Sequence, residues 1–544
     1  MEGIIKKIKE NRIAYGEGIY LLYFAVMAGA RSIGLLEGTA PYTVTLVLGM
    51  LLLGLKLLLT EHTITEYGVI GACMFVATMV YLHSGEKGLI VCFSMMLGMK
   101  AVSKRKVIIV GIVVVSIMIT LRVLPVVFGL TDEIYYPQER AGVGLMFRHA
   151  LGYAHPNTLH MNVLMLSLMI MYLITFQCRR LMIHEALSKK LVIEVVIVCS
   201  FLIFGFNVYV FQYSGSRTGL LACFFYMLFN LWLICVGKIR FFEKVVLYSS
   251  FPISCFLTII VPLFFPSNIV DKLNDTVFMG RYWMDRFLWT SNKPVLWGQR
   301  LKHEGGHAMT YGLDSAQMYL FLQLGIVAFI LMTCLIFCFV LFSVRARELP
   351  ELSVFETMLL IGLWEPLLYN LSFKNFTYVF MGHLLYEIID TKGKPLDQHM
   401  VGLNKNESII AAYIANCFVM KKIVLRIFVA MTVGTMAFGL YYSIVQKPSA
   451  LYGSREESEN GGSLDMDALY FTEDQINELR QSGDIVVGYK GEMTPMYRYD
   501  KNIAMMEFKK KAISVGVFWC ILVLLIYLGY SLQKFNVALR GNCN

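Results

Sequence analysis

The chain holds 544 residues, 57% of them hydrophobic and 16% charged, and its formal net charge is +10. So apolar a composition excludes a water-soluble globular protein, and the positive balance needs no nucleic-acid partner if basic residues collect at one membrane face. The 12 cysteines lie mostly inside apolar runs and read as small packing residues, not as a disulfide frame or a CxxC metal site.

Apolar runs cut by charges and Gly/Pro clusters predict helices near 15–36, 41–59, 66–83, 88–103, 107–128, 157–176, 191–211, 218–236, 245–265, 315–342, 354–371, 376–390, 423–445 and 512–531. That makes about fourteen spans and an all-α, polytopic membrane helix bundle, because lipid offers no partner to a backbone group outside a helix or closed barrel. The opening MEGIIKKIKENR shows no signal-peptide cleavage pattern, so the first helix is expected to stay as an anchor. Basic residues set the orientation. Lys6, Lys7, Lys9 and Arg12 put the start inside. Counting spans brings Lys104, Arg105, Lys106, Arg179, Arg180, Lys189, Lys190, Lys238, Arg240, Lys244, Arg345, Arg347, Lys421, Lys422, Lys534 and Arg540 to the same face. The expected topology is N-in and C-in. Lys509, Lys510 and Lys511 fall outside, at the end of a long loop, where charge counts for little.

Residues 1–390 read as one membrane domain, 391–422 as a polar cytoplasmic linker, and 423–544 as a two-helix module around the outer loop 446–511. For that last part, two further helices of the same bundle is the competing reading. The other long outer segments are 129–156 and 266–314. The second is too aromatic for disorder, with Trp283, Trp289 and Trp297.

An ionisable residue at mid-helix costs about 2.5–3.5 kcal/mol on the insertion scale. Arg31, Arg122 and Glu365 sit inside apolar runs and fall in the outer half of the bilayer, while Lys56 and Lys100 fall at inner ends, where snorkelling accounts for them. The outer charges snorkel, pair as structural glue, or hold the negative charge of a ligand.

Three outer constellations follow. In RHALGYAHPNTLH, Pro156 suits the first helical position and makes His155 the expected N-cap, with Arg148, His149, Asn157 and His160 nearby. The helix head is either a wet cap or a place for an anion. In YSGSRTG, Arg217 opens a helix after a tight glycine turn, as a phosphate contact or a snorkelling side chain. In GRYWMDRFLW, residues Arg281, Asp285 and Leu288 share one face of an interfacial helix, and Trp283 and Trp289 suit headgroup depth. Downstream, Asp314 in LDSAQMYLFLQLG stands where the next span begins, either as its N-cap or as an active carboxylate. No Walker loop, HExxH or DxD pair stands at a persuasive position. His303 and His307 are separated by Gly305 and Gly306, which argues against a helical metal pair.

LGYAHPN, SGSRTG, GRYWMDRFLW and LDSAQMYLFLQLG, in this order across 140–326, resemble the O-antigen polymerase and ligase superfamily, the Wzy-like bacterial polysaccharide polymerases. The resemblance covers about 15–390 by hydropathy and leaves 391–544 unexplained. It implies a GT-C-like enzyme of the bacterial cytoplasmic membrane that joins sugars carried on polyprenyl diphosphate at the outer face, with a flippase and a chain-length regulator as possible partners. Where the ligase branch usually has a histidine before the last conserved outer helix, this chain has Asp314 and Ser315, which favours polymerase over ligase.

The residues suit that chemistry. Arg217 and Arg281, with Arg148 or Arg122, would neutralise a diphosphate leaving group, so a metal becomes optional and no cofactor is expected. Asp314 is the first choice for the base that activates a sugar hydroxyl, His155 the second. Asn157, Tyr282, Trp283 and Arg286 are expected to contact substrate, though headgroup packing is the default for the aromatic pair. A lipid-linked oligosaccharide flippase or other transporter is the alternative; it should show repeats and a midplane site, and neither is evident. A non-enzymatic envelope scaffold is the third reading, in which the outer arginines would be dispensable.

Overall fold

A computed structural model of the chain describes residues 11–131, 133, 135–140, 144–236, 239–301, 313–370, 372–390, 414, 420–445, 447, 451–454, 489–490, 494–499 and 501–541. His303 and His307, the three N-terminal lysines, almost all of the expected linker and most of the loop 446–511 lie outside these residues.

The protein is predominantly helical and multi-pass. Among the described residues, 11 helices are long and apolar enough to cross a membrane. They are α1 (Arg12–Ser32), α2 (Ala40–Leu59), α3 (Ile64–Ser84), α5 (Lys104–Val127), α6 (Pro156–Ile183), α7 (Lys189–Ser214), α8 (Arg217–Val236), α9 (Phe241–Phe264), α13 (Ile326–Ala346), α16 (Met420–Ile444) and α17 (Lys501–Gly541).

Three expected spans are helical but short: α4 (Gly88–Leu97), α14 (Leu349–Ile361) and α15 (Thr377–Asp390). α14 ends at Ile361, and between it and α15 Pro366 opens a short 3-10 turn and side chains bond the backbone. Asn370 Oδ1 accepts from Ser372 N at 3.0 Å, and Asn375 Oδ1 accepts from Thr377 N at 3.1 Å. These amide side chains give a non-helical backbone the partners that lipid cannot.

The expected span 315–342 is also interrupted. A short helix, α12 (Ala316–Met318), runs into a π turn (Tyr319–Gln323), and the chain breaks at Gly325 before α13. The cause is tertiary. A Cβ on Gly325 would lie 2.3 Å from the Gly298 nitrogen, and one on Gly298 would lie 2.6 Å from the Gln323 carbonyl. Both glycines have positive φ, so the sequence permits the approach. Val295 and Leu296 carbonyls then accept from Ile326 and Val327 at 3.0 and 3.1 Å, which satisfies the first turn of α13. Glu86 accepts from Tyr319 at 2.9 Å and Gln323 at 2.7 Å, pinning the π turn.

The chain folds as two compact units, each assembled from separate stretches of sequence. The first comprises the described parts of 1–121, 162–177 and 218–400. Lys56, Lys100 and Lys104, near α2 and α5, are held by partners within it. Lys56, expected to snorkel, is 1% exposed and donates to Thr60 Oγ1 at 2.7 Å and the Lys100 carbonyl at 2.8 Å. Lys100 pairs with the fully buried Glu66. Lys104 pairs with Glu348 and, at 2.8 Å, with Glu351, which also accepts from Tyr172.

The second unit comprises the described parts of 122–161, 178–217 and 401–544. The last two helices therefore share a unit with earlier parts of the chain, and the expected boundary at 390 does not by itself separate the two units. Helices α16 and α17 pack through Gly434 and Gly516. A Cβ on Gly434 would meet the Gly516 carbonyl at 2.6 Å. The outer segments are not wholly irregular either. Strands β1 (Tyr135–Arg140) and β2 (Gly144–His149) form an antiparallel hairpin, and β3 (Leu451–Ser454), β5 (Thr494–Tyr499) and β4 (Tyr489–Lys490) form a small sheet in that order. The all-α expectation holds for the spans, and these small sheets are its exceptions.

Candidate functional site

In the first unit the site is built on α11 (Arg281–Ser291), a helix entered through Gly280 with φ 90°. Tyr282, Asp285 and Leu288 repeat every third residue and are buried, while Trp283 and Phe287 are exposed. The helix thus lies with one face on an apolar cluster of Val261, Val270, Phe278 and Leu363.

Arg281 donates from Nε to the Trp364 carbonyl at 2.8 Å, and the same nitrogen lies 3.5 Å from Asp314 Oδ2. One turn on, Asp285 is 1% exposed and its Oδ2 accepts from Ser315 Oγ at 2.6 Å. Two residues of one helix therefore hold two consecutive residues of the 313–316 segment, and Ala316 N is anchored on the Gly362 carbonyl at 2.8 Å.

Asp314 was expected either at the helix N-cap or as an active carboxylate. The N-cap is Ser315, and its hydroxyl goes to Asp285 instead of capping. Asp314 is left with a side chain 52% exposed, accessible to a ligand. Desolvation by its apolar surroundings raises its pKa, and Arg281 opposes that rise. Burial pushes Asp285 up to about 8, against the Ser315 hydrogen bond and with Asp314 adding repulsion, so near neutral pH it is largely protonated.

Tyr282, Trp283 and Arg286 divide. Tyr282 is buried, stacked on Phe278 at 4.0 Å, and donates to the Leu257 carbonyl at 2.7 Å; this places it in the core, away from any sugar face. Arg286 donates to the Pro262 and Phe265 carbonyls at 2.5 and 2.7 Å and to Ser267 Oγ at 3.3 Å, which satisfies carbonyls where α9 ends. These bonds join α11 to α9. Trp283 is 64% exposed with Nε1 donating to Asp271 Oδ1 at 3.2 Å.

Comparison with family models, curated proteins and solved structures finds no match to this chain.

In the second unit, His155 is the N-cap of α6, as the Pro156 signal implied, and its Nδ1 accepts from Asn157 N at 3.1 Å. Burial, with Arg148 adding repulsion, lowers its pKa to about 4. The ring is neutral and its acceptor nitrogen is already used. Arg148 is buried and donates to the Ser214 carbonyl at 2.7 Å and to Asn157 Oδ1 at 2.5 Å. Both Arg148 and Asn157 thus serve to knit the head of α6 to the end of α7. Gly215 then turns the chain with φ 59°, and Arg217 begins α8 with an exposed side chain. Arg122 is also exposed, on α5, and a Cβ on Gly152 would meet its carbonyl at 2.6 Å.

Sequence reasoning named His149 without a role. Its Nδ1 lies 3.0 Å from Glu133 Oε1 and its Nε2 2.8 Å from Glu507 Oε2, and Lys510 donates to Glu507 at 2.6 Å. Burial disfavours the imidazolium, but the two carboxylates outweigh it and raise the pKa. Asp285 was likewise named, on one face of the interfacial helix, without a role. Its signal was present: a carboxylate on the same three-residue repeat as Tyr282 and Leu288 must be buried. Among the described residues no group of three or more His, Cys, Asp or Glu is placed to hold a metal ion.

Proposed function

We propose that this chain is a membrane glycosyltransferase that polymerises polyprenyl-diphosphate-linked oligosaccharide units into a surface polysaccharide at the outer face of the bacterial cytoplasmic membrane, as the O-antigen polymerases it resembles do. Its N-in, C-in orientation belongs to the same reading. The observation that carries it is the facing of Arg281 and the half-exposed Asp314 at the head of a broken helix. In its own unit, Arg217 is an exposed residue that opens a helix, which supports its assignment to a phosphate.

The pair suits glycosyl transfer. The acceptor hydroxyl gives its proton to Asp314 and attacks the anomeric carbon of the donor. The bond from that carbon to the diphosphate oxygen breaks, and the leaving diphosphate takes the electron pair. Arg281 is placed to neutralise that charge. The two roles are coupled. While Arg281 faces Asp314 it holds the carboxyl pKa down; a phosphate that draws Arg281 away leaves the carboxylate more basic. Donor binding thus readies the base.

The test uses the full-length protein in nanodiscs with a polyprenyl-diphosphate oligosaccharide and no ATP. The expected result is a ladder of lengthened products, lost with Arg281→Ala and Asp314→Asn while the proteins remain inserted. Transfer of label across the bilayer without lengthening would favour a flippase, and unchanged ladders from both variants would remove this site.

A further inference from the structure

The first unit holds a cavity of about 470 Å³ that neither Asp314 nor Arg281 lines. Its walls are His83 at the end of α3, the segment 294–299, and Ile326 at the head of α13. Small-molecule sites span about 300–1,000 Å³. The close crossing of Gly298 and Gly325 forms part of this wall, and backbone bonds flank it. Gln299 N donates to the Gln323 carbonyl at 3.0 Å, and Ile326 N to the Val295 carbonyl at 3.0 Å. A wall pinned in this way loses little freedom when a ligand enters.

Three of the lining side chains keep unspent hydrogen-bonding atoms. His83 Nδ1 lies 2.8 Å from the Met79 carbonyl, which can only accept. Nδ1 therefore carries the proton, and Nε2 of the neutral ring is an acceptor. Gln299 donates from Nε2 to the Lys293 carbonyl at 2.6 Å and the Leu322 carbonyl at 3.2 Å, which leaves Oε1 as an acceptor. Trp297 brings an indole N–H, and its ring meets Phe75 in a T at 5.8 Å. Among the described residues, no hydrogen bond reaches His83 Nε2, Gln299 Oε1 or Trp297 Nε1.

Two acceptors, one donor and an aromatic ring in a preformed cavity match a saccharide. Its hydroxyls can donate to His83 and Gln299 and accept from Trp297, and its C–H groups can pack on the indole. An acyl chain would fill the volume and leave all three polar atoms without partners. An anion would meet two acceptors.

We propose that this cavity is a saccharide-binding subsite. The inference rests on the function proposed above for the source of the sugar. From Asp314 to the cavity wall run α12 and the π turn, Ala316–Gln323, about 12 Å at 1.5 Å per residue. The subsite therefore takes a sugar unit other than the one that reacts.

The experiment measures saturation transfer by NMR from the full-length protein in nanodiscs to maltotetraose, isomaltotetraose and chitotetraose. The expected result is transfer to the ring C–H protons of at least one of them. Trp297→Ala lowers its affinity about tenfold or more, and His83→Ala about three- to tenfold. Trp297→Phe keeps a ring beside Phe75 and loses no more than His83→Ala. Absence of transfer to all three saccharides, or wild-type affinity in both alanine variants, overturns the proposal. A second arm uses nanodiscs of phosphatidylcholine brominated along its acyl chains. The fluorescence of Trp297 is taken as wild type minus Trp297→Phe. Quenching that added saccharide does not relieve puts an acyl chain in the cavity and overturns the subsite; no quenching, or relief by saccharide, supports it. Saccharide binding in a protein that makes no ladder keeps the subsite and removes the polymerase reading. A ladder from a protein that binds none of the three removes the subsite alone.

Discussion

Arg281 and Asp285 stand one turn apart on α11 and each grips one of two adjacent residues: Arg281 faces Asp314, and Asp285 takes the hydroxyl of Ser315. The helix thereby sets the position of the exposed carboxylate through its buried neighbour. This clamp explains why Asp314 is not consumed as a cap.

The buried Asp285 makes the clamp pH-dependent. Its folded pKa, about 8, lies above the ordinary aspartate value of about 3.9, so the native state binds a proton the unfolded chain has released. Its contribution to stability is full below about pH 4 and falls as pH rises to about 8. Thermal unfolding in nanodiscs should show a midpoint that declines across that window, and Asp285→Asn should flatten the decline. An unchanged slope in the variant would show that the titrating group lies elsewhere.

Arg286 should behave as a structural residue. Removing its three hydrogen bonds with Arg286→Met should cost at least about 2 kcal/mol, because carbonyls at the end of α9 lose a charged donor. Loss of activity at unchanged melting temperature would return Arg286 to the substrate.

Protonated His149 ties β2 to α17 through Glu133 and Glu507, with Lys510 beside Glu507 and the Tyr213 ring at 5.3 Å. Its raised pKa means this contribution is full below about 6.5 and is lost as pH rises through the folded value. Amide protection near residue 507, taken relative to the intrinsic base-catalysed rate, should therefore fall on alkalinisation, and His149→Gln should be weakly protected at every pH. A flat wild-type profile would contradict this.

The glycine contact between α16 and α17 supplies its own control. Gly434→Leu must displace the Gly516 carbonyl and should cost about 1–3 kcal/mol, whereas Gly439→Leu meets nothing within 4 Å and should be silent. Equal midpoints for the two variants would show that the helices do not meet there.

What residue order alone determined was the place of the hydrophobic segments, because apolar length is a local property and lipid forces such a segment to become a helix. It also determined the α6 head, since Pro156 and His155 act on neighbouring backbone. Only the tertiary structure decided which segments stay short or break, because the break at Gly325 depends on a backbone contact with Gly298. Only it showed that Arg281, besides donating to the Trp364 and Phe278 carbonyls, faces a half-exposed carboxylate, while Arg286 and Arg148 donate to carbonyls at helix ends. An arginine in sequence is a charge with five donors; what it can bind depends on which donors the fold has already used.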